Sequence, residues 1–115
     1  MKPLRLVLST LSLVAATSSA APANEGVVGY GVGGQGCGSY IENRRKPNQT
    51  YDNQIVEWTF GFISAYNLYL LNEPQVKHTL SGLTILAYLD KYCRETPLAT
   101  TGLGVVELIK TYTKP

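Results

Sequence analysis

The sequence predicts an all-α protein: a small bundle of three main helices, stapled by one disulfide and preceded by a flexible glycine-rich arm. Three observations carry that prediction. After residue 50, apolar residues recur every three to four positions in three successive stretches, which is the helical period. No segment shows the strict apolar/polar alternation of a half-buried strand. The chain has two cysteines, Cys37 in the arm and Cys93 in the second helical stretch.

The first 23 residues read as an export signal. Lys2 and Arg5 supply a short positive region, residues 6–16 an apolar core, and residues 17–23 small residues. Ser18-Ser19-Ala20 and Ala21-Pro22-Ala23 both fit a small-x-small cleavage rule, placing the cut after Ala20 or Ala23. The apolar core is too short to span a bilayer as a helix, so membrane insertion is not expected once the signal is removed. Periplasm or secretion is the implied destination. Of ten Lys and Arg, Lys2 and Arg5 lie in the signal; the remaining eight balance eight Asp and Glu. A neutral mature chain has no general electrostatic reason to bind nucleic acid or an anionic membrane.

Residues 24–49 form a polar, glycine-rich arm, and residues 50–115 the helical domain. In the first helix Thr50 and Asp52 are candidate N-caps. Ile55, Trp58, Phe62, Ala65, Tyr66 and Tyr69 make its apolar stripe, and Gly61 with Ala65 offers a close approach to another helix. Asn72-Glu73-Pro74 ends it, because Pro cannot continue a helix. The second helix, about 76–94, has Leu80, Leu83, Leu86, Ala87, Leu89 and Cys93 on its apolar side. Thr96-Pro97 opens the third, about 98–112, which turns Leu98, Val105, Val106, Ile109 and Tyr112 inward. The short mature domain needs a staple. In an oxidising compartment Cys37 and Cys93 are expected to pair, contributing about 4 kcal/mol through the long loop they close.

Catalytic and cofactor chemistry finds little footing. Residues 29–36 hold two overlapping G-x-G-x-x-G spacings, Gly29/Gly31/Gly34 and Gly31/Gly33/Gly36. Six glycines between 29 and 38 generate such matches by density alone. A dinucleotide loop also needs a buried strand before it and a helix start after it, and neither is legible here. His78, the one histidine, and two widely separated cysteines give no metal-ligand spacing. Glu42, Asp52, Glu57, Glu73, Asp90, Glu95 and Glu107 are scattered, and "RRK" at 44–46 reads as a solvated turn. No cofactor, no metal and no enzymatic activity are expected. What stands out is aromatic content: eight Tyr, two Phe and one Trp. Trp58, Phe60, Phe62 and Tyr66 crowd one helix and are the candidate protein-binding residues. Phe60 points away from the stripe, toward a partner or a self-association surface such as a homodimer would use.

The frame Cys37-Gly38-Ser39-Tyr40, then "EWTFGFISAYN" (57–67) and "LDKYCRETPL" (89–98), resembles small exported bacterial proteins. It is similar in architecture to the HdeA/HdeB acid-stress chaperones of the periplasm. It also resembles the periplasmic immunity proteins that neutralise type VI secretion effectors. The resemblance spans residues 37–112 and transfers only Cys37 and Cys93, as a structural pair. The first family implies a protein that loosens in acid and offers apolar surface to unfolding clients. With all carboxylates protonated, eight Lys and Arg plus His78 leave about +9, which is strong self-repulsion. The second family implies a rigid face for one toxin.

Overall fold

The computed structural model describes Pro3 and residues 29–77 and 79–114. Apart from Pro3, the expected signal segment lies outside the described residues, as does His78. Among those described, the fold is all-α. A 3₁₀ turn (Gly31–Gly34) leads into α1 (Cys37–Arg44), followed by α2 (Gln49–Tyr69), α3 (Gly82–Glu95) and α4 (Thr101–Thr113). The three expected main helices are present, and α1 is an addition to them.

Each main helix starts at a side-chain cap. Asn48 Oδ1 accepts from the Tyr51 amide at 3.1 Å, Ser81 Oγ from Thr84 at 3.1 Å, and Thr100 Oγ1 from Leu103 at 3.3 Å. These satisfy amides that have no partner in the first turn. The caps correct the expected ones. Asn48 takes the place of Thr50 and Asp52, and Thr100 that of Thr96. Asp52 instead sits in the first turn of α2, where the helix dipole favours a negative charge. The later start of α3 has a local cause. Asn67 Oδ1 accepts from the Val76 amide at 3.0 Å, and its Nδ2 donates to the Val76 carbonyl at 3.1 Å. That pair holds the 74–77 segment along α2 while Val76 and Leu80 are buried.

The core forms where α2, α3 and α4 meet around α1. Tyr40, Ile55, Ile85, Leu89, Val105 and Leu108 are almost fully buried within it. On α2 the buried line is Tyr51, Ile55, Thr59 and Ile63. Thr59 belongs there because its hydroxyl donates to the Ile55 carbonyl at 2.8 Å, so no polar group is left without a partner. The expected stripe is thereby rotated. Trp58, Phe62 and Tyr66 are half-buried at its edge, and Ala65 and Tyr69 are exposed. Ala87, Leu83 and Leu98 also face solvent, Leu98 being 99 % exposed in the α3–α4 turn.

The glycine-rich stretch from Gly31 onward is a strap across α2 and α4, in place of a pliable arm. Trp58 Nε1–H donates to the Tyr30 carbonyl at 2.9 Å, and the Thr101 hydroxyl donates to the Val32 carbonyl. Thr101 N–H donates to the Gln35 carbonyl at 3.0 Å, and Cys37 N–H to the Ala99 carbonyl at 2.9 Å. Gly33 is needed because the strap lies against the indole: a Cβ there would stand 1.9 Å from the Trp58 ring. Gly61, by contrast, has nothing near its missing Cβ and is exposed, so it brings no helix close. Gly104 takes that packing role, facing Leu89 and Tyr92 of α3.

Two glycine substitutions separate these roles. Gly33→Ala is expected to lower the urea-unfolding free energy by about 1–3 kcal/mol through overpacking against Trp58. Gly61→Ala is expected to raise it by about 1 kcal/mol through helix propensity alone.

Candidate protein-contact site

Helix α1 is bound to the bundle by one covalent and one ionic tie. Cys37 and Cys93, both fully buried, form the disulfide that joins α1 to α3 across 56 residues of sequence. At the other end of α1, Arg44 reaches two helices at once. Its Nε and Nη2 donate to Asp90 Oδ1 and Oδ2, each at 3.0 Å, and its Nη1 to Asp52 Oδ1 at 2.8 Å. The fork geometry of a guanidinium suits a two-pronged carboxylate contact that a lysine could not reproduce. Tyr40 donates its hydroxyl to Asp90 Oδ1 at 2.8 Å. All three ionic side chains are about one-quarter exposed.

Charge and burial act against each other in this cluster. Burial pushes the Asp90 carboxyl up, but hydrogen bonds from Arg44 and Tyr40 outweigh it and hold the group below the usual carboxylate range. Arg94 adds to the same downward pull. The Tyr40 hydroxyl is driven far above its ordinary value, first by burial and then by its bond to Asp90. Arg44 is held more firmly protonated by Asp90, with Asp52 adding to it. Arg44 is therefore a partly buried anchor, and "RRK" is only partly a solvated turn: Arg45 is exposed and pairs with Glu42 at 3.2 Å.

A second feature lies at the far end of α2. Phe62, Tyr66 and Leu70 form one wall of a trough whose other wall is Val106, Ile109 and Lys110 of α4. Its volume is about 450 Å³ and its lining is mainly apolar. At Glu73 and Thr113 it joins a more polar groove of about 540 Å³, flanked by Leu71, Lys77 and Lys114. Beside the trough stands a run of four exposed apolar residues, Leu68, Tyr69, Leu70 and Leu71, at 64, 80, 46 and 71 % exposure. Solitary exposed leucines are ordinary on a protein surface, whereas four in succession beside an apolar trough mark an interaction surface.

The four aromatics expected to bind protein divide among three settings. Phe62 and Tyr66 line the trough. Trp58 stacks on Phe62 with ring centroids 5.3 Å apart, but its indole is engaged with the strap. Phe60 stands in a separate shallow groove with Ile63, Val76, Thr79 and Leu80. The trough residues Leu70, Val106 and Ile109 were not legible as a site, because an apolar residue on an amphipathic helix looks the same whether it faces core or cleft. Among the described residues, no three of His, Cys, Asp and Glu gather as metal ligands, and no helix is long and apolar enough to cross a membrane.

Comparison of the chain with protein-family models, with curated proteins and with solved structures finds no match. The site is therefore read from its own chemistry.

That chemistry fixes a pH response. A carboxyl whose folded value is lowered stabilises the fold above the unfolded value of about 4, and the contribution disappears as pH falls through the folded value. Asp90→Asn is expected to cost about 2 kcal/mol at pH 7, since hydrogen bonds to a charged group are lost. The same variant should flatten the fall in stability below about pH 4, as followed by urea unfolding across a pH series.

Proposed function

We propose that this protein is a small exported, non-enzymatic contact protein of the acid-stress chaperone kind, acting in the periplasm or after secretion. The observation that carries the reading is the tie of Arg44 to Asp52 and Asp90. It is the ionic link between α1 and both neighbouring helices, and both of its acceptors are carboxylates. In acid Asp90 takes up a proton while Arg44 keeps its charge, so the partly buried guanidinium loses its two-pronged anionic acceptor. Removing one side of such a pair is costly because the remaining charge is uncompensated. The accumulated positive charge adds self-repulsion across the whole domain.

The disulfide limits how far this loosening goes. Cys37 remains bonded to Cys93 whatever the protonation state, so α1 stays tethered to α3 while its Arg44 end swings free. Tyr40 and Tyr51, with ring centroids 6.3 Å apart, are buried beside that end and would become available to unfolding clients. Two cysteines paired in a small domain suit an oxidising compartment, which agrees with an export signal in residues 1–23.

A second reading, an immunity protein that neutralises a secreted toxin, is favoured by the trough between α2 and α4. That surface is already formed with the bundle closed, as a dedicated partner would require.

Light scattering of an aggregation-prone client at pH ~2–3 tests the first reading, because carboxylates are protonated there. Suppression of aggregation is expected, together with loss of near-UV circular dichroism by the chaperone itself. A retained tertiary signal with no suppression would remove the chaperone reading and leave the dedicated-partner one.

A further inference from the structure

We propose that the Arg44 clamp guards the Cys37–Cys93 disulfide, so that a dithiol reduces the bond only after Arg44 has released Asp90 and α1 has swung out. Neither cysteine has any exposed surface. Thiol–disulfide exchange needs direct access of a thiolate to a sulfur, and the closed bundle offers it none. Cys37 is the first residue of α1, and Cys93 lies in the last turn of α3. Exposing either sulfur therefore requires α1 to move on α3. At the Cys37 end the strap holds the chain to the start of α4. There Cys37 N–H donates to the Ala99 carbonyl at 2.9 Å, and Thr101 N–H to the Gln35 carbonyl at 3.0 Å. The end that can lift is the one that Arg44 holds.

One carboxylate carries most of that hold. Asp90 accepts from Arg44 Nε and Nη2, each at 3.0 Å, and from the Tyr40 hydroxyl at 2.8 Å. Asp52 adds the Nη1 bond at 2.8 Å, and the Leu86 carbonyl a longer one to Tyr40 at 3.3 Å. Once these let go, eight residues without a side-chain cap at their start do not persist as a helix. The remaining helices keep Ile55, Ile85, Leu89, Val105 and Leu108 in their shared core. Such partial openings cost less free energy than global unfolding. In the opened form the first thiolate of a dithiol attacks one cystine sulfur. The S–S bond breaks, and the other cysteine leaves as a thiolate and takes up a proton. The second thiolate of the reagent then attacks the mixed disulfide, frees the remaining cysteine and closes the reagent into its own disulfide. Two electrons pass from dithiol to cystine. Reduction removes the covalent pivot, so α1 is then free at both ends. The two ties open in a fixed order, ionic before covalent.

This inference needs no client, so failure of client protection in acid would leave it standing. Reduction of the folded protein by dithiothreitol at about pH 8, where thiolate is available, reads it directly. Free thiols are alkylated and counted by mass spectrometry, and each rate is divided by that of the same chain unfolded in urea. Asp90→Asn is expected to be reduced at least about tenfold faster than the parent, since hydrogen bonds to a charged group are lost. Asp52→Asn, which keeps the two-pronged pair, should be reduced about threefold faster. Ile109→Ala removes a buried side chain on α4, a helix that takes no part in the clamp. It should change the rate by less than about twofold, although it costs at least as much stability to urea as either Asp variant. Acceleration by Ile109→Ala in proportion to its lost urea stability would mean reduction through global unfolding and would overturn the proposal. Unchanged rates in the Asp variants would overturn it too. Should Asp90→Asn not fold, Asp52→Asn against Ile109→Ala decides the matter, because the smaller loss of stability must then give the faster reduction.

Discussion

The attachment of α1 governs the rest of the molecule. Eight residues with no side-chain cap at their start are too few to hold a helix in water, where nucleation costs more than one or two turns recover. The helix exists because Cys37 is bonded to Cys93 at one end, Tyr40 is buried in the middle, and Arg44 is clamped between two carboxylates at the other. The same anchors set Tyr40 against Tyr51 and fix where the strap must enter, at the Cys37 amide bonded to Ala99. They differ in kind. The disulfide is indifferent to pH, the tyrosine responds only in strong alkali, and the Arg44–Asp90 pair depends on Asp90 staying ionised. The proposed acid response follows from that division, because protonation releases one anchor and leaves the covalent one in place.

The strap shows how a low-complexity stretch acquires a single conformation. Its glycines do not cradle a phosphate. They allow backbone to approach backbone and ring: Gly33 lies on the Trp58 indole, and the carbonyl of Gly33 approaches Gly102 on α4. Hydrogen bonds from Trp58, Thr101 and the backbone then register the chain. This accounts for the density of glycine near Cys37. It also moves Trp58 from the group of exposed aromatics to that of structural anchors. The aromatic surface left for contact is displaced toward the end of α2, where Leu68, Tyr69 and Leu71 are mostly exposed among the described residues.

How much of this was readable in advance depended on whether the signal was local. The main helices were readable because their period is local, and the staple because the two cysteines have only each other as partner. Helix α1 was not, since what holds it is the Leu86 carbonyl that accepts from the Tyr40 hydroxyl at 3.3 Å, Asp90 and Cys93, roughly fifty residues further along. The same is true of Arg44. In sequence it is one of three basic residues before a proline; in the fold it meets Asp52, eight residues away, and Asp90, forty-six away. Thr59 was hidden differently, as a polar residue whose hydroxyl is satisfied within its own helix and which therefore packs as an apolar one.

The sequence by itself determined an all-α chain, its three main helices apart from the later start of α3, the disulfide partners, and an apolar character for α2 beyond what one core-facing stripe needs. Those properties depend on periodicity, caps and composition, which neighbouring residues set. Only the tertiary structure decided which aromatics hold the fold and which line a trough, that carboxylates on α2 and α3 share one guanidinium, and that the glycine run is a strap. Each of these is a meeting between residues far apart in the chain, whose encounter depends on how the helices cross and on nothing that either residue's neighbours encode.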